Sequence, residues 1–134
     1  MLVDDDADDQ LIFLDALSEV DDTVECATAS NGLEALSYLH AGDWLPAVIF
    51  IDLNMPLMNG FELLGKIKKD PRMKDIPIVI FTTSDSPLDL KRAEKAGAQV
   101  FFTKTSDFKT LKIKIQEILG FDFSIKRPFD KAIQ

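Results

Sequence analysis

The stretch 47–60, AVIFIDLNMPLMNG, reads as five consecutive apolar residues, an aspartate, a proline-containing loop and an Asn-Gly helix start. A strand that is apolar at every position is buried on both faces, as in a parallel sheet covered by helices. The rest of the chain repeats this grammar. Leu2-Val3 is a strand stub, and residues 24–29, 47–51, 76–82 and 99–103 read as four further strands. Between them lie helical spacings. Leu11, Leu14 and Leu17 share one face, as do Leu33, Leu36 and Leu39, then Phe61, Leu64 and Ile67, then Phe108, Leu111, Ile115 and Ile118. Asn59-Gly60 and Asp85-Ser86-Pro87 are helix starts, and Gly97 is the stop of the fourth helix. Strand and helix alternate five times, which predicts a doubly wound α/β domain with a five-stranded parallel sheet and five helices.

The totals agree with a single soluble domain. A chain of 134 residues, 46% hydrophobic and 28% charged, can bury a core without disulfides or a structural metal. Cys26 is the only cysteine, so no intrachain disulfide forms, and a reducing cytoplasm is the expected location. The longest apolar run, 45–51, is far short of the ~20 residues that cross a bilayer, and aspartates from position 4 rule out a signal-peptide pattern. A net charge of −8 argues against direct nucleic-acid binding.

In doubly wound sheets a site forms beyond the carboxyl ends of the strands. Here those ends are Asp4-Asp5-Asp6, Asp52-Leu53-Asn54, Thr82-Thr83-Ser84 and Lys104-Thr105. Two carboxylates ~4 Å apart repel by about 4 kcal/mol at an intermediate dielectric, so such a cluster calls for protonation or a cation. Aspartates and backbone carbonyls suit Mg²⁺. Beside the metal, an aspartate can attack a phosphoryl group while a lysine and a threonine hydroxyl hold its oxygens.

These residues carry a resemblance. Val3-Asp4-Asp5, then Asp52 through Gly60 in the pattern D-x-N-M-P-x-M-x-G, Thr82-Thr83 and Lys104 resemble the receiver-domain signature of two-component response regulators, most closely the single-domain, chemotaxis-type regulators. The likeness runs from about residue 2 to 119, with 30 residues from Asp52 to Thr82 and 22 more to Lys104. It implies the flavodoxin-like strand order 2-1-3-4-5. It implies that Asp52 is phosphorylated and that Asp5 binds Mg²⁺ directly and Asp4 through water. The Asn54 carbonyl and Asp52 complete the metal set. Thr82 would move towards the phosphoryl group, Lys104 would pair with it, and Phe101 would be a switch aromatic that turns inward. Asn54 and Thr83 would tune dephosphorylation. The donor would be a histidine kinase or a phosphotransfer protein, and the output a protein partner met on the fourth helix, fifth strand and fifth helix. The protein would be a monomer or a phosphorylation-dependent dimer. Its only chemistry would be its own phosphorylation and slow hydrolysis.

Four departures qualify the likeness. Thr105 replaces the usual proline after the lysine, so the loop there need not follow the usual cis bond. Phe101 lacks the hydroxyl of the commoner tyrosine. The first strand is several residues short, with a cropped amino end as the expected reason. Residues 70–75 lengthen the loop before the fourth strand.

Plainer readings stand beside these. The acidic run can simply favour a helix amino terminus, and Asp6, Asp8 and Asp9 are expected to be solvated or capping. His40 is expected to be solvated, Cys26 to fill a strand, and Trp44 to cover the loop before the third strand. Residues 120–134 are expected to be an extension or the start of a linker, with Phe121, Phe123 and Phe129 favouring packing over disorder. Two competing functions are a phosphorylation-independent interaction module and an aspartyl-nucleophile phosphohydrolase. Against the latter, Asn54 stands where such enzymes place a second acid. A flavodoxin-like cofactor binder is weaker still, because no hydroxyl- or glycine-rich phosphate loop follows the first strand.

Overall fold

The computed structural model describes residues 1–125 and 128–132. In order, the elements are β1 (Leu2–Val3), α1 (Ala7–Val20), β2 (Thr28–Ala29), α2 (Gly32–Ala41), β3 (Ile49–Ile51), α3 (Gly60–Lys69), β4 (Ile78–Thr82), α4 (Pro87–Lys95), β5 (Val100–Thr103), α5 (Phe108–Leu119) and β6 (Asp130–Ala132). The sheet runs β2-β1-β3-β4-β5-β6, with every pair parallel. The order of the first five strands and the five helices match the expectation.

The sixth strand is an addition to it. Asp130 pairs with Val100, and its amide donates to the Gln99 carbonyl at 3.1 Å. Aspartate, lysine and alanine carry no β signal of their own. What makes this segment a strand is the open edge of β5, whose amides and carbonyls need partners.

The strands are also shorter than their apolar runs. Val24 is 38% exposed, and β2 begins only at Thr28. Pro77 has no amide to give a ladder; its carbonyl instead receives the Ile49 amide at 3.0 Å. Cys26 therefore lies outside β2, half-buried, with burial pushing its thiol pKa up.

Two apolar layers sandwich the sheet. On one face Phe13, Ala16 and Leu17 of α1 meet Leu111, Ile115 and Ile118 of α5 over Leu2, Phe50, Val79 and Phe102. On the other, α2, α3 and α4 pack over Val3, Ile51, Ile80 and Phe101. Two expected helix faces turn out rotated. Leu11 is 61% and Leu33 50% exposed, while Phe13, Ala16, Gly32 and Ala35 face the core. Counting leucines alone missed the small residues, Ala16 and Ala35 in the core and Gly32 against the Met58 side chain. The stripe of α5 and the inner positions of α3 fall as expected.

The helix ends follow local rules. Asn59 and Glu62 form a reciprocal capping box at α3, and Ser86 caps α4 ahead of Pro87. At the end of α4, Gly97 takes φ +98°, with its amide on Glu94 and the Ala98 amide on Ala93, a Schellman closure that favours glycine. The lengthened loop at 70–75 has a structural use: the Arg72 guanidinium donates to the Leu39 and Gly42 carbonyls at the end of α2. No described helix is long and apolar enough to cross a membrane.

Candidate functional site

Three strands deliver their next residue to one edge while the sheet ladder still holds it. The Asp4 amide donates to Ala29, the Asp52 amide to Val3 and the Lys104 amide to Thr82, at 2.9, 2.9 and 2.6 Å. Parallel neighbours place consecutive strand ends side by side, so residues far apart in sequence converge. Behind them the chain enters α3 with no slack. The Gly60 amide bonds the Leu53 carbonyl at 3.0 Å, and a β-carbon at Gly60 would collide with the backbone of Asp52 and Leu53.

Asp4 is wholly buried, Asp52 is 6% exposed and Asp5 is exposed at the mouth. One carboxylate oxygen from each lies within 4.8 Å of the others. The Lys104 ammonium stands 2.7 Å from Asp4 Oδ2, 2.8 Å from Asp9 Oδ2 and 3.4 Å from Asp52 Oδ2. The Asp6 amide donates to Asp4 Oδ1. Asp4 Oδ2, by contrast, has charge contact with Lys104 but no hydrogen bond of good geometry.

Burial pushes the Asp4 carboxyl above the ordinary carboxylate range, Lys104 and the Asp6 amide pull it back, and the charge of Asp52 adds to the rise. Burial also disfavours the Lys104 ammonium, but Asp4, Asp9 and Asp52 outweigh it and hold its pKa well above the usual lysine value. A raised carboxyl pKa means that the folded state binds the proton more tightly than the unfolded chain does. Its contribution is then full below the unfolded value, about 3.9, and is lost as pH rises through the higher folded value. Without metal, wild-type stability relative to Asp4→Asn is therefore expected to fall as pH rises from about 4 towards neutrality. Thermal melts of both proteins in chelator across that range read the difference; a flat difference would contradict it.

The remaining expected residues are placed as follows. Asn54 is exposed, with its amide 3.5 Å from Asp52 Oδ1, and Thr83 is exposed beyond β4. Thr82 is wholly buried and its hydroxyl accepts from the Ser84 amide at 3.4 Å, with no bond to Asp52. Phe101, opposite Ile80 in the ladder, is also wholly buried, so its ring already occupies an inward position. Every described peptide bond is trans, including that between Lys104 and Thr105. Leu57, in the loop after Asp52, has φ +66°, and the Met58 amide bonds the Pro56 carbonyl at 2.7 Å in a tight three-residue turn. His40 is exposed and 3.6 Å from Asp70. Trp44 is 52% exposed beside a shallow groove formed with Leu45, Pro46 and Ala47.

One expectation is corrected and two partners are new. Asp6 does cap α1, receiving the Asp8 and Asp9 amides, but Asp9 is not simply solvated because its carboxylate holds Lys104. Gln10 is the other addition: its side-chain amide donates to the Asp4 carbonyl, tying the first turn of α1 to the end of β1. The available signal was a single lysine among the strand-end aspartates, with Asp9 in the first turn of a helix that starts beside β1. Sequence spacing alone did not say which acid that turn would present.

The donor set fits a hard divalent cation. It is all oxygen, it clusters three carboxylates, and it leaves a buried carboxylate oxygen without a hydrogen bond. Asp5, Asn54, Met55, Phe61, Asp89 and Arg92 border a cleft of about 450 Å³ beside it. The Arg92 guanidinium lies 4.0 Å over the Phe61 ring.

Comparison with known proteins agrees with this geometry. The family model of the response regulator receiver domain matches residues 1–116. The chain is 34% identical over 122 residues to chemotaxis protein CheY1 of Helicobacter pylori, covering 90% of this chain and 95% of that one. It is 32% identical to the probable methanogenesis regulatory protein FilR2 of Methanothrix harundinacea, covering 88% and 79%. Among solved structures, the phosphorylated cyanobacterial phytochrome response regulator RcpA superposes with a TM-score of 0.82 at 30% identity, covering 94% of each chain. The Mn²⁺-bound form of response regulator Rcp1 gives 0.76 at 29% identity, covering 95% of each.

Proposed function

This chain belongs to the response regulator receiver domain family, and from that membership we propose that it is a switch that accepts a phosphoryl group on Asp52. The observation that carries the proposal is the convergence of Asp4, Asp5, Asp52 and Lys104 at one sheet edge, with a lysine ammonium 3.4 Å from the acceptor carboxylate. Asp4, Asp5, Asp52 and the Asn54 carbonyl would hold Mg²⁺, which when bound supplies charge neutralisation for phosphoryl oxygens.

In the transfer, an Asp52 oxygen attacks phosphorus. The bond from phosphorus to the donor's histidine nitrogen breaks, and its electron pair stays with the imidazole. Lys104 meets one phosphoryl oxygen as a point charge. Thr82 would exchange its contact with the Ser84 amide for another oxygen, and Asn54 and Thr83, both exposed at the mouth, would set how readily water reaches the acyl phosphate. The donor would be a histidine kinase or phosphotransfer protein. One relative that matches 85% of this chain over 14% of its own length is the sensor histidine kinase CheAY of Helicobacter pylori, which supports a kinase as the kind of donor.

The output would run through α4, β5 and α5, biasing a two-state equilibrium towards a protein partner. Because Phe101 is already buried, the moving parts here would be Thr82 and the β4–α4 loop, with Phe101 filling the space that lets them settle. Residues 1–119 would form the receiver proper, with the remainder an extension that adds β6 to its edge. A reducing cytoplasm would suit a chain whose one cysteine, Cys26, is a free thiol.

Intact-protein mass after incubation with acetyl phosphate and Mg²⁺ tests the proposal. One added phosphoryl group on the wild type, absent with chelator, is the expected result. No gain under any condition would leave the interaction-module reading in its place, and turnover of a general phosphomonoester would favour a phosphohydrolase.

A further inference from the structure

We infer that Asp9 is a positioning residue for phosphoryl binding, acting through Lys104. The inference rests on the phosphoacceptor reading above and extends it to a side chain outside the family signature.

The starting point is what surrounds the Lys104 ammonium. It has three donors and three carboxylates around it: Asp4 at 2.7 Å, Asp9 at 2.8 Å and Asp52 at 3.4 Å. Asp4 and Asp52 also belong to the three-carboxylate cluster suited to a divalent cation, whereas Asp9 does not. A cation drawn to that cluster takes up the charge of Asp4 and Asp52 and repels the ammonium. Asp9 then remains as its carboxylate partner outside the cluster.

Asp9 is well placed for the task. It sits in the first turn of α1, a helix fixed to the sheet end by the Gln10 bond to the Asp4 carbonyl and by the Asp6 cap. Its side chain is 34% exposed while that of Lys104 is 10% exposed, so the pair spans the boundary between solvent and site. It is also a bonded pair and not only a charge contact, with Lys104 Nζ donating to Asp9 Oδ2. An ammonium donates in several directions at once, so the bond to Asp9 leaves donors for a phosphoryl oxygen. Asp9 thus holds the ammonium beside Asp52 without competing for all of its donors.

Calorimetric titration of fluoroberyllate, a phosphoryl mimic, into the full chain at saturating Mg²⁺ tests this. The set is wild type, Asp9→Asn, Asp9→Glu, Lys104→Met and the Asp9→Asn/Lys104→Met double variant. Asp9→Asn is expected to weaken binding about fivefold, as loss of one charge-assisted, partly exposed bond implies. Asp9→Glu, which keeps the carboxylate, is expected to recover most of that. In the Lys104→Met background Asp9→Asn is expected to have no further effect, since the cycle isolates the pairwise coupling. Unchanged or tighter binding by Asp9→Asn would overturn the inference. So would an equal loss in both backgrounds, which would mean that Asp9 acts without Lys104. If Lys104→Met does not fold, the Asp9→Asn and Asp9→Glu pair decides: equal losses in both overturn it. Wild type failing to bind fluoroberyllate would overturn the phosphoacceptor reading itself and this inference with it, an outcome distinct from the others.

Discussion

Asp52→Asn is expected to abolish phosphoryl uptake: after acetyl phosphate and Mg²⁺ its mass stays that of the unmodified chain, while the wild type gains one group. An amide lacks the anionic oxygen that attacks phosphorus, so the substitution removes the nucleophile instead of slowing it. The change is nearly isosteric, and Asp52 is 6% exposed at the end of β3 with its amide still held by the Val3 carbonyl. The fold should therefore tolerate it. Without metal it should even gain, by up to about 1 kcal/mol, because one negative charge leaves a crowded cluster in which Asp52 helps to raise the Asp4 pKa. Mass spectrometry reads the first effect and urea denaturation in chelator the second. Uptake that survives Asp52→Asn would move the acceptor to another carboxylate, with Asp5, exposed at the same mouth, the next to substitute.

Gly60→Ala is expected to destabilise the domain by about 3 kcal/mol, at the upper end of overpacking costs. A β-carbon at this position would overlap the Asp52 carbonyl oxygen and come within 2.8 Å of the Leu53 α-carbon. Both obstacles are backbone, and both belong to the segment that carries Asp52, so no side chain can swing away to make room. Whatever fraction folds should have Asp52 displaced and bind fluoroberyllate more weakly. Gly65→Ala is the matched control. It lies five residues on in the same helix with nothing within 4 Å of an added β-carbon, so it should stabilise by about 0.5–1 kcal/mol through helix propensity alone. Urea midpoints of the two variants should move in opposite directions. A shared direction would show that the site-side backbone has more slack than the geometry allows.

How much of this was legible in the chain depends on the distance over which each feature is encoded. The helix starts at Asn59 and Ser86 and the stop at Gly97 rest on contacts within a few residues, and they stand where the sequence places them. The buried strands β3 and β4 announced themselves by unbroken apolar runs, although their ends did not, because an apolar residue can pack under the sheet edge without joining its ladder. The faces of α1 and α2 were misread for a related reason. Leucines are conspicuous, but the buried faces also carry Ala16 and Ala35, while Gly32 makes room for the Met58 side chain.

The sequence by itself determined the alternation of strand and helix, the collection of Asp4, Asp5, Asp52, Thr82 and Lys104 at strand ends and, through its motif, the family. These are properties of local periodicity and of the rule that parallel strands end together. Only the tertiary structure decided that Asp9 reaches across 95 positions to Lys104, that Asp4 Oδ2 is buried with no hydrogen bond, and that residues 130–132 become a strand on the edge of β5. An exposed-looking acid acquires a role, and a segment without β propensity acquires a ladder, when folding brings an unpaired charge or an unpaired backbone to meet it. Those partners are set by the packing of α1 on β1 and by the free edge of the sheet, and neither is written in the residues next to them.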